Sequence, residues 1–312
     1  MGPIELEESL YLFEPDEEER ARLNNQHRVL IRLIENRILH APIDPSAIAT
    51  VADVGTGTGI WLDALATHLD AIPILTPAAT DQVQRQYDGL DMTPANFPAA
   101  QSHPDNFHYD VYNILQPVPE ERKGKYDLVH VRLLAAAFSK GQVDIAVDNL
   151  VQLLPKLTGD FAREGPGGWI QWEELDGDSW AGRVPSPHVR EMSELGRKHM
   201  EAKEWELHLF PQSVPAAFLK AAKAHPSLQN VSEKIYNTVT HGYEIKDAIN
   251  STWLWSCTRS AKMILLASGK SNVEEEMQRL EQGARRDIER GGLFWDSDEH
   301  VLLAQRKWQI NT

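Results

Sequence analysis

Apolar residues recur at three- and four-residue steps through 17–39, where Leu23, Leu30, Ile34 and Ile38 form one stripe. That spacing predicts a long helix, with His27 on the same stripe and Pro42 and Pro45 ending it. Residues 48–54 read as a strand and 61–69 as an amphipathic helix. From 72 to 89 the pattern breaks: Pro73, Pro77 and the polar run 81–86 form no clean strand and read as an insertion. Residues 87–91 lead into Thr93-Pro94, a capping hydroxyl before Pro at a first helical position. Residues 107–110 and 126–131 are short strand candidates, and 143–154 is a helix with Val143, Val147, Leu150 and Leu154 on one face. Gly167-Gly168 then breaks the chain before a strand at 169–175. Strands alternating with helices argue for a parallel sheet covered on both faces.

The second half differs. Residues 188–205 and 216–225 read as helices, 231–239 alternates like a strand, and 245–268 and 271–290 are two long helices separated by Gly269. A last strand is expected within 300–310. Two late strands therefore flank a helical insertion. The chain divides into an N-terminal helical lid (1–45), an α/β core (46–180) and a helical cap with the last two strands (181–312).

Composition narrows the class. The 312 residues are 42% hydrophobic and 25% charged, ordinary for a globular protein. No apolar run reaches the roughly 18 residues of a membrane span, and the acidic first residues lack a signal-peptide core. One cysteine, Cys257, excludes an internal disulfide and suits a reducing compartment, so a cytoplasmic location is expected. The net charge of −15 disfavours a nucleic-acid partner. Scattered histidines without H-E-x-x-H or C-x-x-C spacing give no metal site, and no G-x-S-x-G elbow occurs.

The chemistry concentrates at Val51-Ala52-Asp53-Val54-Gly55-Thr56-Gly57-Thr58-Gly59-Ile60-Trp61. Strand, glycine turn and helix in that order bring backbone close to a nucleotide-like ligand. A dinucleotide fingerprint needs G-x-G-x-x-G, but here the third glycine comes one residue early and Ile60 fills its place. Asp53 at the strand end would repel a pyrophosphate and suits a cationic group such as an amino-acid ammonium.

Four blocks together resemble class I S-adenosylmethionine (SAM) methyltransferases, most closely the subgroup of fungal secondary metabolism. They are 11–27, with Arg22-Leu23-Asn24-Asn25-Gln26-His27, the glycine turn, Tyr126-Asp127-Leu128-Val129-His130-Val131-Arg132, and Gly167-Gly168-Trp169-Ile170-Gln171-Trp172-Glu173-Glu174. The resemblance covers 11–175 well and the rest loosely. It implies a Rossmann-like sheet of seven strands, mostly parallel, with the last strand antiparallel and helices on both faces. It implies SAM as cofactor at the carboxyl ends of the strands. Backbone at Gly55, Thr56 and Gly57 would approach its methionine part, with Asp53 near the ammonium. Asp91, followed by Met92, would accept from the ribose hydroxyls. Asp110 and the Val111 amide would read adenine, with Tyr109 or Tyr112 packing on it. Tyr11 and the first helix would close over the site, and His130 would sit near the sulfonium and the acceptor. Asp91 lies 36 residues after Gly55, farther than the usual about 20, so Asp81 is an alternative ribose acid.

His130, His208, His241, Glu173 and Glu174 are candidate bases, with His130 foremost. Arg132 is expected to tie loops together. Trp205, Phe210, Trp253, Trp255 and Trp295 crowd the second half, and the helix carrying Trp253 and Trp255 also bears Met263 and Leu266. That helix suggests a wall for a hydrophobic small molecule. The expected function is methyl transfer to an O, N or S atom of a small secondary metabolite, and a homodimer is compatible with the lid helix. Alternatives are a regulator of this fold acting through protein partners, or a SAM-binding enzyme of a non-methylating reaction.

Overall fold

A computed structural model of the chain describes residues 16–74, 84–138, 141–155, 167–176, 185–202, 214–291 and 295–307. Seven strands form one sheet: β1 (Thr50–Val54), β2 (Gln86–Asp91), β3 (Phe107–Val111), β4 (Leu128–Arg132), β5 (Trp169–Leu175), β6 (Leu228–Asn237) and β7 (Asp298–Arg306). Their order is β3-β2-β1-β4-β5-β7-β6. The pairs among β1 to β5 are parallel, whereas β7 runs antiparallel to both β5 and β6. The expected seven-stranded, mostly parallel Rossmann-like sheet with an antiparallel last strand is what the chain forms.

The helices are α1 (Glu17–Leu33), α2 (Ile60–Leu69), α3 (Gln142–Leu153), α4 (Pro187–Ala202), α5 (Val214–Ala224), the one-turn α6 (Thr238–His241), α7 (Lys246–Ala267) and α8 (Val273–Gly291). Alternate residues of β4 and β5 supply the two faces. Val129, Val131, Ile170 and Trp172 join a cluster with Val143, Val147 and Leu150 of α3 and Phe218 of α5. Leu128 and Trp169 face Trp61, Leu62 and Leu65 of α2. Val301 of β7 joins Leu30 of α1, Trp253 of α7 and Leu280 of α8 in a third cluster.

Four element bounds differ from the sequence reading, each for a local reason. α1 stops at Leu33, because Glu35 and Asn36 adopt φ of 62° and 56°. The apolar stripe runs on to Ile38, but left-handed backbone cannot continue a right-handed helix. Thr93-Pro94 starts only the short 3-10 turn Pro94–Asn96, with the Thr93 hydroxyl accepting from the Ala95 amide at 3.3 Å. β2 begins at Gln86 inside the supposed insertion, and buried Arg85 donates to the carbonyls of Pro45, Ile48, Leu69 and Ile72. β6 begins at Leu228, with a register shift between Gln229 and Ser232 where Asn230 has φ 51°. That bulge hides the strand's first residues from a two-residue periodicity.

Candidate functional site

β1 delivers its last residues to the glycine turn. Gly55, Gly57 and Gly59 have φ of 76°, 53° and 76°, a region that L side chains rarely adopt. The turn is fixed by its own amides: Gly55 and Thr56 both donate to the Leu90 carbonyl, at 2.7 and 3.1 Å. The Gly57 amide donates to Asp91 Oδ2 at 2.9 Å, and the Thr93 amide to Asp91 Oδ1 at 3.2 Å. Space is closed on two sides. A Cβ at Gly55 would lie 2.5 Å from Leu134, and one at Gly59 would lie 2.4 Å from the Tyr109 hydroxyl.

Asp91 thus joins the end of β2 to the glycine turn. Burial raises its carboxyl above the ordinary range, against the Gly57 and Thr93 hydrogen bonds that lower it. Asp81 and Tyr11 lie outside the described residues. Met92, next to Asp91, is 37% exposed, and Val111, the partner of Asp91 in β3, is 59% exposed. Asp110 next to them is exposed and accepts from Arg122 Nη2 at 2.9 Å. Tyr109 and Tyr112 are framework residues instead. The Tyr109 ring fills the space a Cβ would need at Gly59 and Gly89, and Tyr112 is buried with its hydroxyl donating to the Gln116 carbonyl.

α1 lies over the turn. Leu23 Cδ1 comes 3.5 Å from a Cβ built at Gly57, and the Thr58 hydroxyl donates to Asn24 Oδ1 at 2.6 Å. Arg20 donates to the carbonyls of Asn96 and Phe97, at 2.7 and 3.1 Å. The same helix is latched to α7: Asn25 donates to the Thr252 hydroxyl, Arg22 to that of Ser256, and Arg259 pairs with Asp16 and Glu18.

Under the turn, Asp53, His130 and Gln171 stand in register across β1, β4 and β5. Asp53 accepts from the Thr56 hydroxyl at 2.8 Å and meets His130 Nδ1 at 2.7 Å. The His130 ring stacks on Trp61 with centroids 3.6 Å apart, and its Nε2 is 3.6 Å from Glu173 Oε1. Burial lowers the His130 pKa, but the hydrogen bonds to Asp53 and Glu173 outweigh it and raise it. Burial likewise works to raise Glu173, and His130 and Arg132 overcome it and hold that carboxyl low. Arg132 also donates to His27 Nδ1 at 2.9 Å, so it does tie α1 to the sheet. Leu133, immediately after β4, has φ 53°, a strained conformation for leucine that packing must hold in place.

His130 is 0% exposed. Its ring is enclosed by Asp53, Glu173 and Trp61, where it braces the ends of β1, β4 and β5. Of the other bases, His241 is exposed and bound to Asn237 and Thr240, and His208 lies outside the described residues. Glu174 is buried beneath the Ala135 amide, and burial raises it to about 7.

Trp253 and Trp255 do not form one wall. Two residues apart on α7, they point to different sides. Trp253 is buried and meets Trp295 with centroids 6.5 Å apart, whereas Trp255 donates to Glu18 and lines a cleft. That cleft, of about 660 Å³, lies between α7, α8 and the start of α1 and includes Met263. Trp205 and Phe210 lie outside the described residues. Among the described residues no helix is long and apolar enough to cross a membrane.

No family model matches the chain. Methyltransferase grgD of Penicillium sp is 68% identical over 301 residues, spanning 96% of this chain and 98% of that one. N-methyltransferase sirN of Leptosphaeria maculans is 34% identical over 188 residues, 59% of this chain and 57% of that one. Among solved structures, phosphoethanolamine N-methyltransferase 2 of Haemonchus contortus, bound to phosphomonomethylethanolamine and S-adenosylhomocysteine, aligns with a TM-score of 0.48 and 13% identity. That alignment covers 91% of this chain and 53% of that one.

Proposed function

The chain belongs to the methyltransferase family of the Penicillium protein grgD, and from that premise we propose that it uses SAM to methylate a nitrogen atom of a small secondary metabolite. The observation that carries the cofactor is Asp91. Its carboxylate braces the turn through Gly57 and Thr93 and keeps further lone pairs for two ribose hydroxyls. Met92 and Val111 supply an apolar surface for adenine, with Asp110 placed to accept from its amino group. The glycine turn at Gly55, Thr56 and Gly57 lies beside the place for the methionine part, with the Asp53 charge beneath it. SAM, when bound, supplies an electrophilic methyl group. The chain's own contribution is to position both partners and exclude water, and α1 serves that purpose through Leu23 and Asn24. His130 is a positioning residue: between Asp53 and Glu173 it fixes the ends of β1, β4 and β5.

The printed name of the relative from Leptosphaeria maculans favours nitrogen as the accepting atom. We assign the substrate's side of the site to the cap, 181–312. The test is incubation with methyl-labelled SAM and metabolite extracts of a fungus producing such compounds. Label in an N-methyl product is expected. Label only in O- or S-methyl products overturns the choice of nitrogen, and no label in any extract overturns the transferase reading for small metabolites.

A further inference from the structure

β7 runs against the rest of the sheet, so its first residues lie at the carboxyl ends of the parallel strands. Glu299 is the second residue of β7, paired with Leu175 at the end of β5 and with Tyr236 of β6. It is 0% exposed, and among the described residues neither carboxyl oxygen has a hydrogen-bond partner. Directly paired residues of an antiparallel ladder share a face. Glu299 therefore lies on the side of Leu175 and Glu173, against the cluster of Tyr236, Trp253 and Val301. Trp253 Nε1 in that cluster is also buried without a hydrogen-bond partner, while Arg132 Nη1 and Glu173 Oε2 meet only each other, as an ion pair at 3.7 Å.

A buried carboxylate stripped of partners costs the fold several kcal/mol. A Leu or Met would fill this place at no such cost. The row from Asp53 through His130 and Glu173 leads from the glycine turn toward this carboxyl. Glu173 is already engaged by Gln171 Nε2 at 2.8 Å, and Arg132 is divided between His27 and Glu173. Among the described residues, Glu299 thus holds two buried carboxyl oxygens without a hydrogen-bond partner at the carboxyl end of the parallel strands.

We propose that Glu299 binds the N–H of the methyl acceptor and takes its proton, so that the acceptor class is an amine. This rests on the transferase reading above. The acceptor arrives as an ammonium: one N–H bond breaks and an Oε–H bond forms, leaving the electron pair on a neutral amine nitrogen. Solvent removes the proton when the product leaves. Burial, together with Glu173 and Glu174, raises this carboxyl well above its ordinary value, with Arg132 opposing.

The test compares the full chain with Glu299→Gln. Titration with S-adenosylhomocysteine comes first. Equal binding by both proteins keeps the cofactor reading, and no binding by either overturns that reading alone. Benzylamine and benzyl alcohol are then titrated into each protein. The wild type is expected to prefer the amine about tenfold or more, as charge-assisted hydrogen bonds imply, and Glu299→Gln to lose that preference. Equal affinity for the two probes in the wild type, or the same preference in both proteins, overturns the proposal. Thermal unfolding gives a second readout. A carboxyl reserved for a ligand leaves Glu299→Gln as stable as the wild type or more so, whereas a fall of more than about 4 °C, the scale of a lost buried interaction, makes Glu299 structural and overturns it.

Discussion

Asp91 ties the glycine turn to the end of β2, and its two jobs can be separated by substitution. Asp91→Asn keeps an oxygen for the Gly57 amide but loses the charge and half the acceptor capacity. SAM affinity, read by calorimetry, is expected to fall at least about tenfold while the far-UV spectrum stays unchanged; unaltered affinity would contradict the ribose assignment. Glu174 gives a pH signature on the other face of β5. Its ordinary value is 4.5 and the fold raises it to about 7, chiefly through burial. Between those values the native chain holds a proton that the unfolded chain has lost, so stability falls as pH rises through this window, by about 3 kcal/mol if the whole shift is realised. Glu174→Gln removes that loss. Urea unfolding at pH 5 and pH 8 is expected to show a smaller difference for the variant, and identical differences would refute the assignment. Asp53, Gly55 and Gly57 are legible in the sequence because strand and turn lie close along the chain, whereas Asp91, 36 residues after Gly55, is reached only through the family resemblance. The buried state of His130 and the open acid at Glu299 are not, because both depend on which strands become neighbours.

Local periodicity locates six of the seven strands to within a few residues and misses β2, and it fails where backbone conformation overrides polarity. The Glu35-Asn36 turn ends α1 although Ile38 continues the stripe, and the Asn230 bulge obscures the start of β6. Arg85 sits in a polar run that reads as an insertion, yet its guanidinium gathers four carbonyls at the head of the sheet. For α1 the consequential contacts are long-range. Arg259 of α7 meets Asp16 at 2.9 Å and Glu18 at 3.0 Å, and the two acids lie at the end of the helix that covers the turn. Arg259→Met keeps the aliphatic stem and removes the charge. Faster amide exchange across 17–26 and several-fold weaker SAM binding are expected, with the sheet amides unaffected. Unchanged exchange there would show that Leu23 and Asn24 hold α1 without the latch.

At the scale of the whole molecule, the order β3-β2-β1-β4-β5-β7-β6 brings residues 53, 91, 130, 173 and 299 to one edge of the sheet. A sequence reading reaches the first half of this site through its motifs. It does not reach the second half, because residue 299 meets β5 only through the reversed strand β7. The cap helices then close the α1 face, with Trp253 and Trp295 in the core and Trp255 at the cleft. The most direct measurement is calorimetric titration of the purified chain with S-adenosylhomocysteine. Saturable binding in the micromolar range, weakened at least about tenfold by Asp91→Asn, is the predicted result. No binding up to millimolar ligand would contradict the cofactor site at the glycine turn.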